Sequence, residues 1–243
     1  TRGVVNGTRE SDWEEVLNLC QRDSLWVPAI GLHPWYVGER SDSWEGKLRE
    51  LASQTQCGIG EIGLDRWIQD FDWEGQQSVF VGQLKIAVEL DRPVSIHCLK
   101  AWGRLLEILQ AEKRTRFLLH SYGGPAEMIK PFVELGAYFS FSGYFAHPRK
   151  SAARELFREI PLERLLIETD APDMLPPPEL NPFPLFTADG KAQNNPANIM
   201  AVYRYCAELR GIPLVEFTER IAENFRRLFG ALAAKSESPS PPR

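Results

Sequence analysis

The chain has 243 residues, 43% of them hydrophobic and 25% charged, as is usual for a single folded domain of a water-soluble protein. A formal net charge of −5 excludes the global basic field of proteins that coat nucleic acid or anionic membranes. No apolar run reaches membrane-spanning length, and no secretory signal pattern is found. We therefore expect a cytoplasmic protein, without membrane contact, whose four scattered cysteines are reduced thiols.

Short β-type runs alternate with amphipathic helical stretches along most of the chain. The predicted strands cover residues 3–8, 27–33, 58–65, 93–97, 116–120, 137–142 and 165–170. Seven β–α units in strict alternation imply a parallel sheet. The alternation suits two architectures, an open doubly wound sheet and a barrel without one of its strands.

The segments between and after these units also contain residue patterns that predict helix starts, loops and domain bounds. Ser11 and Glu14 have the spacing of a capping box and predict the start of the first helix. Residues 171–198 are rich in proline and predict a long, stiff loop before two C-terminal helices. We expect one domain over residues 1–230 and a disordered Pro/Ser-rich tail over residues 231–243.

Five polar residues lie at strand ends or within a strand, where functional side chains gather in α/β folds. They are His33, Glu61, His97, His120 and Asp170. A lone histidine at a strand end is more often an ordinary hydrogen-bonded residue. A carboxylate inside the apolar run around Glu61, however, is costly unless it is paired or bound to a metal ion. Imidazole and carboxylate groups from successive strands therefore predict a divalent-metal site.

Motifs for other nucleophiles and for nucleotide binding do not occur in the context that their chemistry requires. No GxSxG, P-loop or GxGxxG pattern is found in the required context. Cys98 follows His97 directly but should point to the other side of its strand, so we interpret it as a packing residue.

Several segments, taken together and in order, resemble the TatD family of metal-dependent deoxyribonucleases in the amidohydrolase superfamily. They are the sequences GLHP at 31–34, GEIGLD at 60–65, IH at 96–97, LH at 119–120 and ETDAP at 168–172. The resemblance extends from about residue 3 to residue 230. It implies a TIM-type (β/α)8 barrel, of which the given chain would lack the first strand.

The resemblance also implies roles for individual residues. Glu61 would bridge two divalent ions and His97 and His120 would ligate one of them. Asp170 would ligate the other ion and act as the general base for the attacking water. His33 would contact the scissile phosphate or help to shape its pocket, and Asp65 would support the metal ligands from outside or line the substrate pocket. Lys100 is a further candidate for substrate binding. The metal could be Mg, Mn or Zn, because His and carboxylate sites accept all three.

Two departures from the family pattern bear on these roles. Nothing in the chain matches the Asp-x-His-x-His element of the family's first strand, so we expect a less stable chain with impaired catalysis. Lys100 lies near the position where the family often has an arginine, and a lysine binds phosphate as a point charge, without the bidentate fork.

The predicted function is a metal-dependent phosphodiesterase, a deoxyribonuclease that cleaves DNA with metal-activated water. Two alternatives stay open at this stage: an amide, ester or lactone hydrolase on the same scaffold, and a catalytically impaired remnant. We expect a DNA or other phosphodiester substrate, no obligate protein partner and a monomer.

Overall fold

Seven strands form where the alternation of the sequence predicts them, in a computed structural model that describes residues 2–112 and 116–233. The strands are β1 (Gly3–Asn6), β2 (Trp26–Ile30), β3 (Gly58–Asp65), β4 (Val94–Leu99), β5 (Phe117–Leu119), β6 (Tyr138–Ser142) and β7 (Leu165–Glu168). The helices are α1 (Trp13–Arg22), α2 (Trp44–Gln54), α3 (Trp73–Glu89), α4 (Trp102–Ala111), α5 (Ile129–Glu134), α6 (Ser151–Glu159), α7 (Ile199–Arg210) and α8 (Leu214–Ala233).

The described residues divide into two units, one made of residues 2–112, 116–119, 134–137 and 226–233 and the other of residues 120–133 and 138–225. In the first unit β1 to β5 pair in sequence order, and every pairing is parallel. In the second unit β6 pairs in parallel with β7. The parallel pairing predicted from the alternation is confirmed, and the prediction of one domain over residues 1–230 stays a prediction.

The third strand forms with the predicted bounds, Gly58–Asp65, and carries two acidic residues against β4. The register between β3 and β4 shifts between Ile59 and Ile62, so a local irregularity surrounds Glu61. Gly63 has a φ of 150°, and a Cβ atom there would lie 1.9 Å from the carbonyl oxygen of His97. Only glycine permits this close approach, which brings the carboxyl end of β3 against β4.

Most strands end earlier than predicted, and this changes where the site residues lie. β2 ends at Ile30 and β7 at Glu168, so His33 and Asp170 lie in the loops that follow. His33 is the N-cap of a 3-10 turn, Pro34–Glu39, whose first position suits proline because the ring fixes φ and no N–H is needed there. β4 instead continues to Leu99, two residues beyond its predicted end, so His97 lies within the strand and not at its end.

Three local predictions are corrected. The N-cap of α1 is Asp12, whose carboxylate accepts hydrogen bonds from the backbone N–H groups of Thr8 and Arg9, so the Ser11 capping box is wrong. The proline-rich loop contains a short antiparallel pair, Leu185–Phe186 with Ala192–Gln193, which we call β8 and β9. Helix α8 continues to Ala233, so the first three residues of the predicted tail are helical, and residues 234–243 lie outside the described residues.

Within the part of the chain that the structure describes, no helix combines the length and apolarity needed to cross a bilayer. All four cysteines are free and buried. Burial raises the pKa of the Cys20 thiol to about 11 and those of Cys57 and Cys206 to about 12. Burial also raises the pKa of Cys98, in keeping with its interpretation as a packing residue.

The thiols of the native chain are therefore expected to resist Ellman's reagent. A pKa two units above that of a free thiol leaves roughly 100-fold less thiolate, and burial blocks access to what remains. The rate of colour development at pH 8 checks this, with the urea-unfolded chain as the control in which all four thiols react. One thiol reacting in the native chain as fast as free cysteine would contradict the prediction.

Candidate metal centre

Glu61 lies at the centre of a cluster in the first unit. Its Oε1 atom is 3.2 Å from Nε2 of His33 and 3.2 Å from Nδ1 of His97. The side chain of Glu61 is 13% exposed, and those of His33 and His97 are 7% and 11% exposed. One ligand atom from each of the three residues lies within 4.8 Å of the others, a spacing that suits coordination of a single ion.

Asp65 fixes the orientation of the His97 ring. Its Oδ2 atom is 2.9 Å from Nε2 of His97 and 2.6 Å from the indole Nε1 of Trp35. Its Oδ1 atom accepts a hydrogen bond of 2.6 Å from the backbone N–H of Trp67. Because a carboxylate only accepts, His97 must donate from Nε2, and in the neutral ring this leaves the lone pair of Nδ1 directed at Glu61.

The carboxyl group of Asp65 is fully buried. Burial alone would raise its pKa, but the hydrogen bonds from His97, Trp35 and the Trp67 backbone outweigh burial and lower the pKa below the usual value. Asp65 is therefore the anionic partner in a carboxylate–histidine pair, the arrangement that sets the tautomer of metal-ligating histidines in many proteins.

The hydrogen bonds of His33 indicate a different role. Its Nδ1 atom accepts a hydrogen bond of 3.2 Å from the backbone N–H of Trp35, so a neutral ring carries its proton on Nε2. That N–H points at Glu61 and is a hydrogen-bond donor, whereas a metal ligand needs a lone pair. This tautomer suits a group that donates to a substrate oxygen.

Two buried glutamines of α3 hold the backbone beside this cluster. Gln83 accepts from the backbone N–H of Leu32 at 2.6 Å and donates to the Leu32 carbonyl at 3.1 Å. Gln76 makes the same pair of bonds with Asp65, at 2.8 and 3.0 Å. Each side-chain amide replaces a strand partner, so the segments that carry His33 and Asp65 are fixed to one helix.

A second cluster lies in the second unit, at the carboxyl end of β7. Nδ1 of His120 is 3.8 Å from Oδ1 of Asp170 and 3.8 Å from Oε1 of Glu168. Glu168 also accepts hydrogen bonds from the hydroxyl groups of Ser121 and, at 2.5 Å, of Ser140. Burial would raise the pKa of Glu168, but these hydrogen bonds and the interaction with His120 lower it.

The backbone around Asp170 is also held in place. Asp170 has a φ of 59°, in the left-handed region that aspartate tolerates better than most residues. The buried Asn194 donates from its side chain to the carbonyl of Thr169 at 2.7 Å. Such a conformation persists only where neighbouring contacts enforce it, and it is common at functional sites.

The chemistry of the donor atoms in the first unit fits a divalent ion. The lone pair of His97 Nδ1 and the anionic Oε1 of Glu61 face each other at 3.2 Å. Two acceptors at this distance repel each other unless a proton or a cation lies close to both. Nitrogen and carboxylate ligands of this kind suit zinc, manganese and related ions.

The structure brings together four of the predicted site residues in the first unit, namely His33, Glu61, Asp65 and His97. In the second unit it brings together His120 and Asp170. Lys100, which follows β4, is exposed and has a φ of 54°. The prediction missed Glu168, although this residue is a carboxylate that directly follows the apolar run LLI and could have been identified on that ground.

The fold and the donor atoms define a metal-dependent hydrolase on an α/β scaffold, and comparisons with known proteins agree. Residues 1–230 match the model of the family described as TatD related DNase. The chain therefore belongs to that family. It is 34% identical over 232 residues to the 3'-5' ssDNA/RNA exonuclease TatD of Shigella flexneri, covering 93% of this chain and 86% of that protein. It is 30% identical over 230 residues to the metal-dependent hydrolase YjjV of Escherichia coli, covering 93% and 85% of the two chains.

Solved structures give the same result for the fold. The crystal structure of YjjV from Escherichia coli superposes with a TM-score of 0.84 at 29% identity and covers 94% of this chain and 86% of its own. A TatD family hydrolase from Entamoeba histolytica superposes with a TM-score of 0.77 at 22% identity, with 93% and 83% of the chains covered. The predicted family and the predicted α/β fold of TIM-barrel type are confirmed.

Proposed function

We propose that this chain hydrolyses phosphodiester bonds of DNA with the help of a divalent metal ion. The observation that carries the proposal is the position of Glu61 Oε1, which faces the candidate ligand nitrogen Nδ1 of His97 and the Nε2–H donor of His33 at 3.2 Å each. The exonuclease activity named for its relative TatD supports a nucleic-acid substrate.

The proposed roles follow from the hydrogen bonds of each group. Glu61 and His97 would hold the ion, and Asp65 would keep the lone pair of His97 Nδ1 available for it. When bound, such an ion supplies positive charge that polarises a phosphoryl oxygen and makes water more acidic. The Nε2–H group of His33, which points at Glu61 in this structure, would donate a hydrogen bond to a phosphoryl oxygen of the substrate and so stabilise the charge that develops there.

The remaining residues keep the roles that the family resemblance implies. Asp170 would accept a proton from the attacking water, and His120 would ligate metal. Lys100 would attract a phosphate of the substrate as a point charge. A monomer in the cytoplasm, with Mg, Mn or Zn as its metal, stays part of the proposal.

The test is cleavage of an end-labelled single-stranded DNA oligomer by the full chain, with magnesium, manganese or zinc added to metal-free protein. We expect shortening of the oligomer that requires added metal and stops when EDTA removes it. An RNA oligomer of the same sequence and a cyclic amide serve as competing substrates. Turnover of the cyclic amide with both oligomers intact would overturn the phosphodiesterase proposal and favour amide hydrolysis.

A further inference from the structure

An exposed tryptophan lies against the metal centre in the first unit. Trp35 is 45% exposed, although an indole is among the side chains that gain most from burial. Its ring meets the His33 ring edge-on, with centroids 5.1 Å apart and an interplanar angle of 89°. The His97 ring is 6.3 Å away, at 74°.

The indole of Trp35 is anchored by the same carboxylate that orients His97. Its Nε1 donates to Asp65 Oδ2 at 2.6 Å, and that oxygen is also 2.9 Å from His97 Nε2. The backbone N–H of Trp35 in turn donates to Nδ1 of His33. The position of this ring is therefore fixed from both ends.

This arrangement leaves Trp35 with exposed surface of one chemical kind. The indole has a single polar atom, Nε1, and the bond to Asp65 uses it. The rest of the indole is aromatic carbon, the kind of surface on which a planar ligand can stack. A ring already held in place loses little conformational entropy when a planar ligand stacks on it.

Resting on the proposed function, we propose that Trp35 is the stacking platform for the nucleobase that adjoins the phosphate bound at the metal centre. His33 would contact the phosphate, and the adjacent indole would bind the base of the same nucleotide. Stacking on an aromatic side chain tolerates every base, so the platform would give affinity for nucleotides without sequence preference.

Trp35 could instead serve only to hold Asp65, and the two roles predict different results. A purely structural role would weaken metal binding and affect ligands with and without a base alike. A stacking role would affect only the ligand that carries a base. Deoxyadenosine 5'-monophosphate and 2-deoxyribose 5-phosphate form a matched pair of probes, because they share the sugar and the phosphate and differ by the base.

The experiment measures the dissociation constants of both probes by calorimetry, in magnesium, for the full chain and for Trp35→Ala and Trp35→Phe. In the unchanged chain we expect the nucleotide to bind roughly 10-fold more tightly than the sugar phosphate, a typical stacking contribution for one base. We expect Trp35→Ala to abolish this ratio and Trp35→Phe to retain part of it. Trp26→Phe, at another exposed tryptophan, is the control that should keep the ratio.

Three results would overturn the inference. The first is a ratio of the two dissociation constants that stays at roughly 10 in Trp35→Ala, and the second is a ratio that falls equally in Trp26→Phe. The third is equal binding of both probes by the unchanged chain. Neither probe contains a phosphodiester bond, so the result does not depend on nuclease activity. If the ratio depends on Trp35 but no oligomer is cleaved, the stacking site stands and the proposed reaction fails.

Discussion

Glu61→Gln is expected to reduce both metal affinity and metal-dependent hydrolysis by more than about 100-fold. Loss of a residue that only supports a metal ligand costs roughly 10- to 100-fold, and loss of a ligand should cost more. Glutamine has nearly the shape of glutamate, and its carbonyl oxygen can still accept the hydrogen bond from His33. It has no negative charge to offset that of a cation, and its amide group is a poor metal ligand. The loss should therefore come from chemistry at Oε1, with little effect on packing.

Calorimetric titration of manganese and zinc into metal-free protein measures the loss of affinity, and cleavage of the labelled oligomer measures the loss of activity. Glu89→Gln is the matched control, because this glutamate ends α3 and its side chain is 53% exposed. Thermal unfolding should show both variants folded. If Glu61→Gln binds metal as tightly as the unchanged chain, the metal centre does not lie at Glu61.

Asp65→Asn is expected to weaken metal binding by about 10- to 100-fold, even though Asp65 is not itself a proposed ligand. The carboxylate accepts from Trp35 and His97 through Oδ2 and from the backbone of Trp67 through Oδ1. An asparagine has one accepting oxygen, so in either orientation its NH₂ group faces at least one of these donors. In one orientation His97 loses its acceptor, and in the other it keeps a neutral amide oxygen in place of a charged carboxylate. The proton is therefore held on Nε2 less firmly in both orientations, and the lone pair on Nδ1 is less available to a metal ion.

The same substitution should lower the free energy of unfolding by about 1 to 3 kcal/mol, the usual cost of leaving a buried polar group without its partner. Urea unfolding measures the change in the free energy of unfolding, and metal titration measures the change in metal affinity. Asp91→Asn is the control, since its side chain is 92% exposed and asparagine tolerates its φ of 50°. Unchanged metal affinity in Asp65→Asn would show that His97 does not depend on Asp65 for its orientation.

The sequence was sufficient to locate the strands and most of the carboxylates and histidines near their ends. β3 was predicted with its observed bounds because the run around Glu61 is apolar on both sides and begins and ends sharply. The pairing of Glu61 with His33 and His97 followed from the rule that parallel strands gather functional groups at one end. Local hydrophobic periodicity was therefore the main basis for predicting the strands and the residues at their ends.

The hydrogen bonds that orient the site could not be predicted in this way. Gln76 and Gln83 resemble ordinary polar helix residues in the sequence, and only the packing of α3 against β3 shows that they bind backbone groups. Trp35 follows a proline in a turn, where an exposed aromatic residue has no periodic signal. The capping prediction also failed locally, because the helix begins one residue later than Ser11 suggests and the carboxylate of Asp12 binds the N–H groups of Thr8 and Arg9, which precede the helix.

The glutamine pair on α3 has a consequence for anyone who wishes to move this metal centre into another protein. Gln76 and Gln83 are seven residues apart, close to two helical turns. Helix α3 therefore sets the spacing between the segment that carries His33 and the end of β3. Copying the histidines and carboxylates onto a foreign sheet would leave that spacing undefined. The smallest graft that preserves it includes residues 73–89 together with the ligands, and the helix is then a structural part of the coordination site.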